Sequence, residues 1–218
     1  FWTLEEEFKR RSLVYKRGIL LFGPPGSGKT SLINLFAKMI AEKYAGISFL
    51  FEHPTVAKEC LHFIRSIEPT KPIITIIEDL DVMMDHYPST EMLSFLDGGT
   101  QISNVIHVAT TNYIEKLDNR LKNRPSRFDS LCLIKHPSNE AKKFYLRAKE
   151  PSFTDAELDY VAKNSEDYSI AHLKEIIILT KCFKYSVEDA IKRMETMYTV
   201  KARMDVGDYK NIKLGFGA

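Results

Sequence analysis

The chain has 218 residues, 44% of them hydrophobic and 28% charged, which is the balance of a globular protein of one large domain or two small ones. With 10 glycines and 9 prolines it is neither collagen-like nor of low complexity. A net charge of +2 supplies no strong field for nucleic acid or an anionic membrane, although a local basic patch is compatible with it.

From residue 18 to about residue 135, short apolar runs alternate with amphipathic stretches. Residues 19–22, 47–51, 73–77, 105–109 and 131–134 are apolar without alternation, the pattern of strands buried on both faces of a parallel sheet. The segments between them are long enough for crossover helices. Two have helical spacing: Leu32, Ile33, Leu35, Phe36, Met39 and Ile40 in the first, and Met92, Leu93, Phe95 and Leu96 in the other. This alternation predicts an α/β layered sheet. All these apolar runs are far too short to span a bilayer.

Beyond Pro137 only helices are legible. Ser138 can cap a helix running to about residue 149, and Thr154-Asp155-Ala156-Glu157 is a capping box ahead of Leu158 and Val161. Ser169 can cap the run Ile170, Leu173, Ile176 and Ile177, and Ser186 a helix with Val187, Ala190, Ile191 and Met194 on one face. The expected organisation is an α/β domain over 1–136, with 1–17 as a lead-in, a small helical domain over 137–204, and a tail of loop or disorder over 205–218. The chain opens Phe1-Trp2-Thr3 without Met, as a trimmed or processed chain would, and shows no signal-peptide pattern.

Gly23-Pro24-Pro25-Gly26-Ser27-Gly28-Lys29-Thr30 fits G-x-x-x-x-G-K-[ST], the Walker A phosphate loop, and lies between a strand and the helix that begins near Ser31. Glycines let the backbone curl so that N–H groups point inward at phosphate oxygens, and the helix N-terminus adds partial positive charge. In such a loop Lys29 reaches the β- and γ-phosphates and the Thr30 hydroxyl binds Mg²⁺. Residues 72–81 form an apolar strand that ends in Glu78, Asp79 and Asp81, as a Walker B strand does. Acids at the C-terminal edge of a parallel sheet face the ligand crevice. One would hold Mg²⁺ and its neighbour would orient and activate the attacking water. The usual order is Asp then Glu. Register gives Glu78 the metal side and Asp79 the water, but either division of the two roles fits the residue types.

The strand over 105–109 runs on into Thr110, Thr111 and Asn112, which brings a neutral amide to the same sheet edge, where it can position water or sense phosphate. Arg124 and Arg127 bracket a Pro-Ser turn; an arginine supplied by a neighbouring subunit can stabilise transition-state charge, and the plain alternative is a pair of surface charges. The six histidines show no metal-ligand spacing with each other or with the three scattered cysteines, Cys60, Cys132 and Cys182. That cysteine usage argues against a disulfide framework and for a reducing compartment, cytoplasmic or other, with the thiols buried as small hydrophobes.

Over about residues 13–195 these motifs together resemble the AAA+ ATPase family. The phosphate loop, the acidic strand, Met92-Leu93-Ser94-Phe95-Leu96-Asp97-Gly98, the segment Ala109 to Asn112 and the segment Arg124 to Asp129 carry the resemblance. Within the family, Tyr15-Lys16-Arg17-Gly18, the Glu78-Asp79 order and Thr110-Thr111-Asn112-Tyr113-Ile114-Glu115-Lys116-Leu117-Asp118 resemble the branch holding the mitochondrial Rieske iron–sulfur protein translocase. The resemblance implies a P-loop fold with a five-stranded parallel sheet in order 5-1-4-3-2, a helical lid, and a homo-oligomeric ring of six or seven subunits with ATP between them. It places Gly23 to Ser31 on the nucleotide, Asn112 at the first sensor position, and Arg124 and Arg127 at arginine-finger positions acting in trans. It also implies that Val14 to Arg17 and the region near Ile170 and Ala171 border the adenine, and it raises the question of whether His172 reaches a phosphate.

The segment His53 to Lys58 lacks the aromatic–apolar–Gly pore loop used to grip extended polypeptide, which argues against simple threading of an unfolded chain. The expected activity is Mg²⁺-dependent ATP hydrolysis coupled to remodelling or translocating a protein. The alternatives are a nucleic-acid loader, disfavoured by the charge balance, and a nucleotide-dependent switch that hydrolyses little.

Overall fold

The structure, a computed structural model, describes residues 1–97, 102–122, 124 and 126–205. Gly98 and Pro125, which belong to motifs read from the sequence, lie outside the described residues, as does the tail from residue 206. The chain divides into two compact units, Phe1–Lys135 and His136–Ala218.

The first unit is built on one all-parallel sheet of β1 (Lys16–Phe22), β2 (Ile47–Leu50), β3 (Ile73–Ile77), β4 (Val105–Thr111) and β5 (Ser130–Leu133), in spatial order β2-β3-β4-β1-β5. This is the order the resemblance implied. Strand β3, flanked by β2 and β4, is buried along its whole length, as an uninterrupted Ile-Ile-Thr-Ile-Ile run requires of a strand covered on both faces. Helices α1 (Glu5–Arg10), α2 (Lys29–Tyr44), α3 (Pro54–Ile67), α4 (Leu80–His86), α5 (Ser89–Asp97) and α6 (Asn119–Lys122) complete it. Leu20, Ile73, Ile77, Leu80, Met92, Leu96 and Val105 form the centre of one apolar cluster, while Leu21, Ile33, Ile40, Ile74 and Val108 form a second.

Strands β1 and β4 extend the sequence reading, β3 matches it, β2 ends one residue earlier and β5 starts and ends one residue earlier. Helix α3 replaces a segment read only as lacking a pore loop. It starts on Pro54, whose ring suits the first helical position, with His53 as its cap through a 3.3 Å bond from Thr55 N–H to the His53 imidazole. A guanidinium ties the end of α3 to the sheet: Arg65 donates to the carbonyls of Glu68, Pro69, Lys71, Ser103 and Asn104 at 2.7–3.2 Å.

Gly18 is the closest approach between β1 and the turn before β5. A Cβ on it would stand 1.8 Å from the Arg127 carbonyl oxygen. Its N–H donates to the Asp129 carboxylate at 2.9 Å and its carbonyl accepts from Asp129 N–H at 2.9 Å.

The second unit packs α7 (Asn139–Lys149), α8 (Asp155–Lys163), α9 (Ile170–Ile177, continued by a π turn over Ile178–Cys182) and α10 (Val187–Asp205) around Leu146, Leu158, Val161, Leu173, Ile176 and Ala190. Its helix starts follow the sequence signals. Ser138 Oγ accepts from Ala141 N–H, Thr154 and Glu157 form the reciprocal capping box, and Ser186 Oγ accepts from Asp189 N–H. At Ser169 the N–H donates to His172 Nδ1 at 2.9 Å, so this histidine closes its own helix start. Asp205, read as tail, is the last residue of α10.

Cys60 and Cys132 are half-buried, while Cys182 is exposed because it ends the π turn where the chain leaves the core; all three are free thiols. The expectation of buried thiols therefore fails at Cys182 and is met only halfway at Cys60 and Cys132. No helix among the described residues is long and apolar enough to cross a membrane.

Candidate active site

The C-terminal ends of β1, β4 and β3 are neighbours in the sheet, with Phe22 opposite Thr111 and Ile77 opposite Ala109. Whatever follows these strands is thereby gathered at one edge: the Gly23 to Thr30 loop, Asn112, and the Glu78-Asp79 pair.

The loop needs residues without a Cβ. Gly23, Gly26 and Gly28 have φ of 148°, 72° and 103°, all in the region that side chains disfavour. At Gly23 a Cβ would also stand 2.1 Å from the Ile134 carbonyl oxygen. Helix α2 begins at Lys29, directly on the loop, so its first N–H groups open into the loop's concavity.

The Lys29 ammonium, only 6% exposed as a residue, donates to Gly23 O at 2.8 Å, Pro24 O at 2.9 Å and Asn112 Oδ1 at 2.7 Å. Burial lowers its pKa below the usual lysine value, and the Asp79 and Asp81 carboxylates oppose that shift. Ser27 Oγ, 7% exposed, is a buried hydroxyl with no hydrogen-bond partner. A phosphate oxygen is the kind of group that would satisfy it, so the loop's donor set fits the nucleotide that its sequence implies. Pro25 and Gly26 are exposed at the tip, and Thr30 and Ser31 are exposed on the first turn of α2.

Across the edge, Glu78 is half-buried and Asp79 exposed. Asp79 has φ 46° and ψ 57°, a left-handed conformation, and its side chain makes no bond to the helix α4 that it precedes. Asn112 Nδ2 lies 3.4 Å from Asp79 Oδ1, so the Asn112 amide bridges Lys29 and Asp79. Two threonines brace the acidic turn: Thr110 Oγ1 accepts from Asp79 N–H at 3.1 Å, and Thr111 Oγ1 donates to the buried Asp81 carboxylate at 2.6 Å.

The structure thus brings together Lys29, Asn112 and Asp79 by direct contact. Sequence reading placed Thr110, Thr111 and Asp81 at this edge but gave them no part; the available signal was two hydroxyls beside the acids.

Arg124 and Arg127 precede β5, at the opposite end of the sheet from the phosphate loop. They differ sharply. The Arg127 side chain is 6% exposed and its guanidinium forks onto Asp97, with Nε to Oδ1 at 2.9 Å and Nη2 to Oδ2 at 2.5 Å, while Nη1 donates to the Arg120 carbonyl. The Arg124 side chain is 59% exposed and makes one bond to Asp97, at 3.0 Å. Partial burial raises the Asp97 pKa, but the two guanidiniums and Ser126 outweigh it and hold this carboxyl below its usual range. Asp97, from the Leu-Asp-Gly motif, is a further residue whose part was not read from sequence.

Residues 19–136 match the family described as ATPase family associated with various cellular activities (AAA). The chain belongs to this family. Among curated relatives, protein SAV of Sulfolobus acidocaldarius is 27% identical over 89% of this chain and 29% of its own length. The cell division cycle protein 48 homolog of Archaeoglobus fulgidus is 28% identical over 80% of this chain and 26% of its own. The proteasome-activating nucleotidase of Sulfurisphaera tokodaii is 29% identical over 78% of this chain and 48% of its own. The chain therefore spans less than a third of the length of the first two relatives. The AAA domain of FIGL-1, solved in complex with ADP, superposes with a TM-score of 0.63 at 18% identity, covering 97% of this chain and 72% of that one; this likeness is one of fold. Membership supports ATP binding and ATPase activity in general.

Proposed function

We propose that this AAA chain hydrolyses ATP with Mg²⁺ at the edge formed by the Gly23 to Ser31 loop, and that the energy drives remodelling or translocation of a protein. The observation that carries the reading is the contact chain Lys29–Asn112–Asp79, which joins the phosphate-binding lysine to a carboxylate through a sensor-like amide. In this reading the loop amides and Lys29 hold the phosphates. Thr30 and Glu78 would hold Mg²⁺, which would screen the phosphate charge. Asp79 orients and deprotonates the attacking water, and Asn112 reports the γ-phosphate to both.

Arg124, exposed and singly bonded, supplies positive charge to the nucleotide of the next subunit in a homo-oligomeric ring. Arg127 would have to leave Asp97 to do the same, so we assign it the role of holding that turn. The likeness to the Rieske-translocase branch, the choice of a protein rather than a nucleic acid as substrate, and a reducing compartment belong to this reading as well. They are supported by the Thr110-Thr111-Asn112-Tyr113 segment, the net charge of +2 and the free thiols.

The test is steady-state turnover beside nucleotide binding. Lys29→Ala is expected to weaken ATP binding by about tenfold to a hundredfold, as loss of a charged donor does. Asp79→Asn is expected to bind ATP normally and to lower kcat by about 10²-fold or more. A Lys29→Ala protein that binds and turns over ATP like the wild type would overturn the site.

A further inference from the structure

We propose that Thr110 is a positioning residue for hydrolysis: its hydroxyl holds the backbone of Asp79 in the left-handed conformation that keeps the Asp79 carboxylate off helix α4 and turned toward Asn112. The inference rests on the reading that Asp79 acts on water.

A residue preceding a helix ordinarily has an extended backbone, and an Asp there accepts hydrogen bonds from the second or third helical N–H. Asp79 does neither. It has φ 46° and ψ 57°, and its side chain makes no bond to α4. Its backbone is instead held at both polar groups. The N–H donates to Thr110 Oγ1 at 3.1 Å, and the carbonyl accepts from Met83 N–H at 3.1 Å. Thr110 is itself fixed, 2% exposed on β4 opposite Leu21 of β1. One residue on, Thr111 grips Asp81 at 2.6 Å, so the turn is pinned at two points by adjacent threonines.

The left-handed conformation costs an L-residue roughly 1–2 kcal/mol, and Asp and Asn tolerate it best because their short polar side chains bond locally. This accounts for the inverted order of the acids. The position that must be left-handed carries Asp79, and the longer acid, Glu78, stands before it at the end of β3. Without the Thr110 acceptor, the Asp79 N–H loses its partner and the residue relaxes to the extended form. Its carboxylate then caps α4, where it cannot serve as a base.

Turnover, ATP affinity and the exchange rate of the Asp79 amide proton, followed by NMR, test this in Thr110→Val and Thr110→Ser. Thr110→Val is expected to lower kcat by about tenfold or more with ATP affinity within about twofold, and Thr110→Ser to restore kcat. The Asp79 amide is expected to exchange about tenfold faster in Thr110→Val and at the wild-type rate in Thr110→Ser. Equal kcat in the two variants, or an Asp79 amide equally protected in both, overturns the proposal. Should Thr110→Val fail to fold, Thr110→Ala against Thr110→Ser makes the same comparison. Asp79→Asn separates the two levels. Undiminished turnover there defeats the reading of the site, whereas lost turnover there with full kcat in Thr110→Val defeats only the role of Thr110.

Discussion

Arg124 and Arg127 carry the same charge on one short turn, yet their surroundings differ, and the proposed function gives them different work. A buried guanidinium forked onto a carboxylate is costly to remove, because the partner is left charged and unpaired. Asp97 is 26% exposed, so water recovers part of that loss, and Arg127→Ala is expected to cost about 2–3 kcal/mol, lowering Tm by about 5–10 °C. Arg124→Ala is expected to leave Tm within about 2 °C and to lower kcat of the assembled protein by about 10³-fold. Thermal melts beside turnover check both, and a fully active Arg124→Ala or a thermally unaltered Arg127→Ala would contradict the division. This residue-level contrast was invisible in sequence, where both read as finger positions. The phosphate loop was legible because its eight residues are contiguous and each glycine answers a local backbone need. Asp97 with Arg127, and Asp79 with Thr110, are pairings that only the sheet brings together.

At the scale of elements, strands announced themselves where both faces are covered, since an apolar run such as Ile73–Ile77 has no polar alternation to blur it. Capped helices of the second unit were equally plain. Helix α1 was not, because its six residues bury nothing and its start has no side-chain cap. Helix α3 hid behind a histidine cap, and Pro54 at its first position was the overlooked signal. Its far end depends on Arg65. Two loops, 68–71 and 103–104, end their carbonyls on this one planar group, which a lysine cannot reproduce with a single ammonium. Arg65→Lys is expected to lose about 1–3 kcal/mol in urea unfolding, and an unchanged midpoint would show that the loops hold themselves.

For the molecule as a whole, one buried imidazole makes stability depend on acid. His107 sits in β4, bonded at 2.6 Å to Thr75 of β3 and edge-on to Phe95, and burial pushes its pKa down to about 3. The unfolded chain takes up a proton near the ordinary pKa of 6.5, whereas the folded chain does not until about 3. Stability from this group is therefore complete above pH 6.5 and drains away as pH falls towards 3. Between pH 7 and pH 5 the expected loss is about 2 kcal/mol, read by denaturant unfolding, and His107→Gln should flatten that slope; an equal slope in the variant would place the acid sensitivity elsewhere. The order of the strands is a different whole-molecule property. Alternating elements implied a parallel layered sheet, but the arrangement β2-β3-β4-β1-β5 came only from the family resemblance, because crossover lengths do not dictate which edge each strand joins. That arrangement has a consequence for interpreting variants. A side chain added at Gly18 meets the Arg127 carbonyl and displaces the arginine turn, although Gly18 stands at the far end of β1 from the phosphate loop. A screen scored on lost ATPase would flag Gly18 beside Gly23. In the proposed ring, a Gly18 variant is expected to retain nucleotide on a column, with the defect surfacing only where one copy acts on the next.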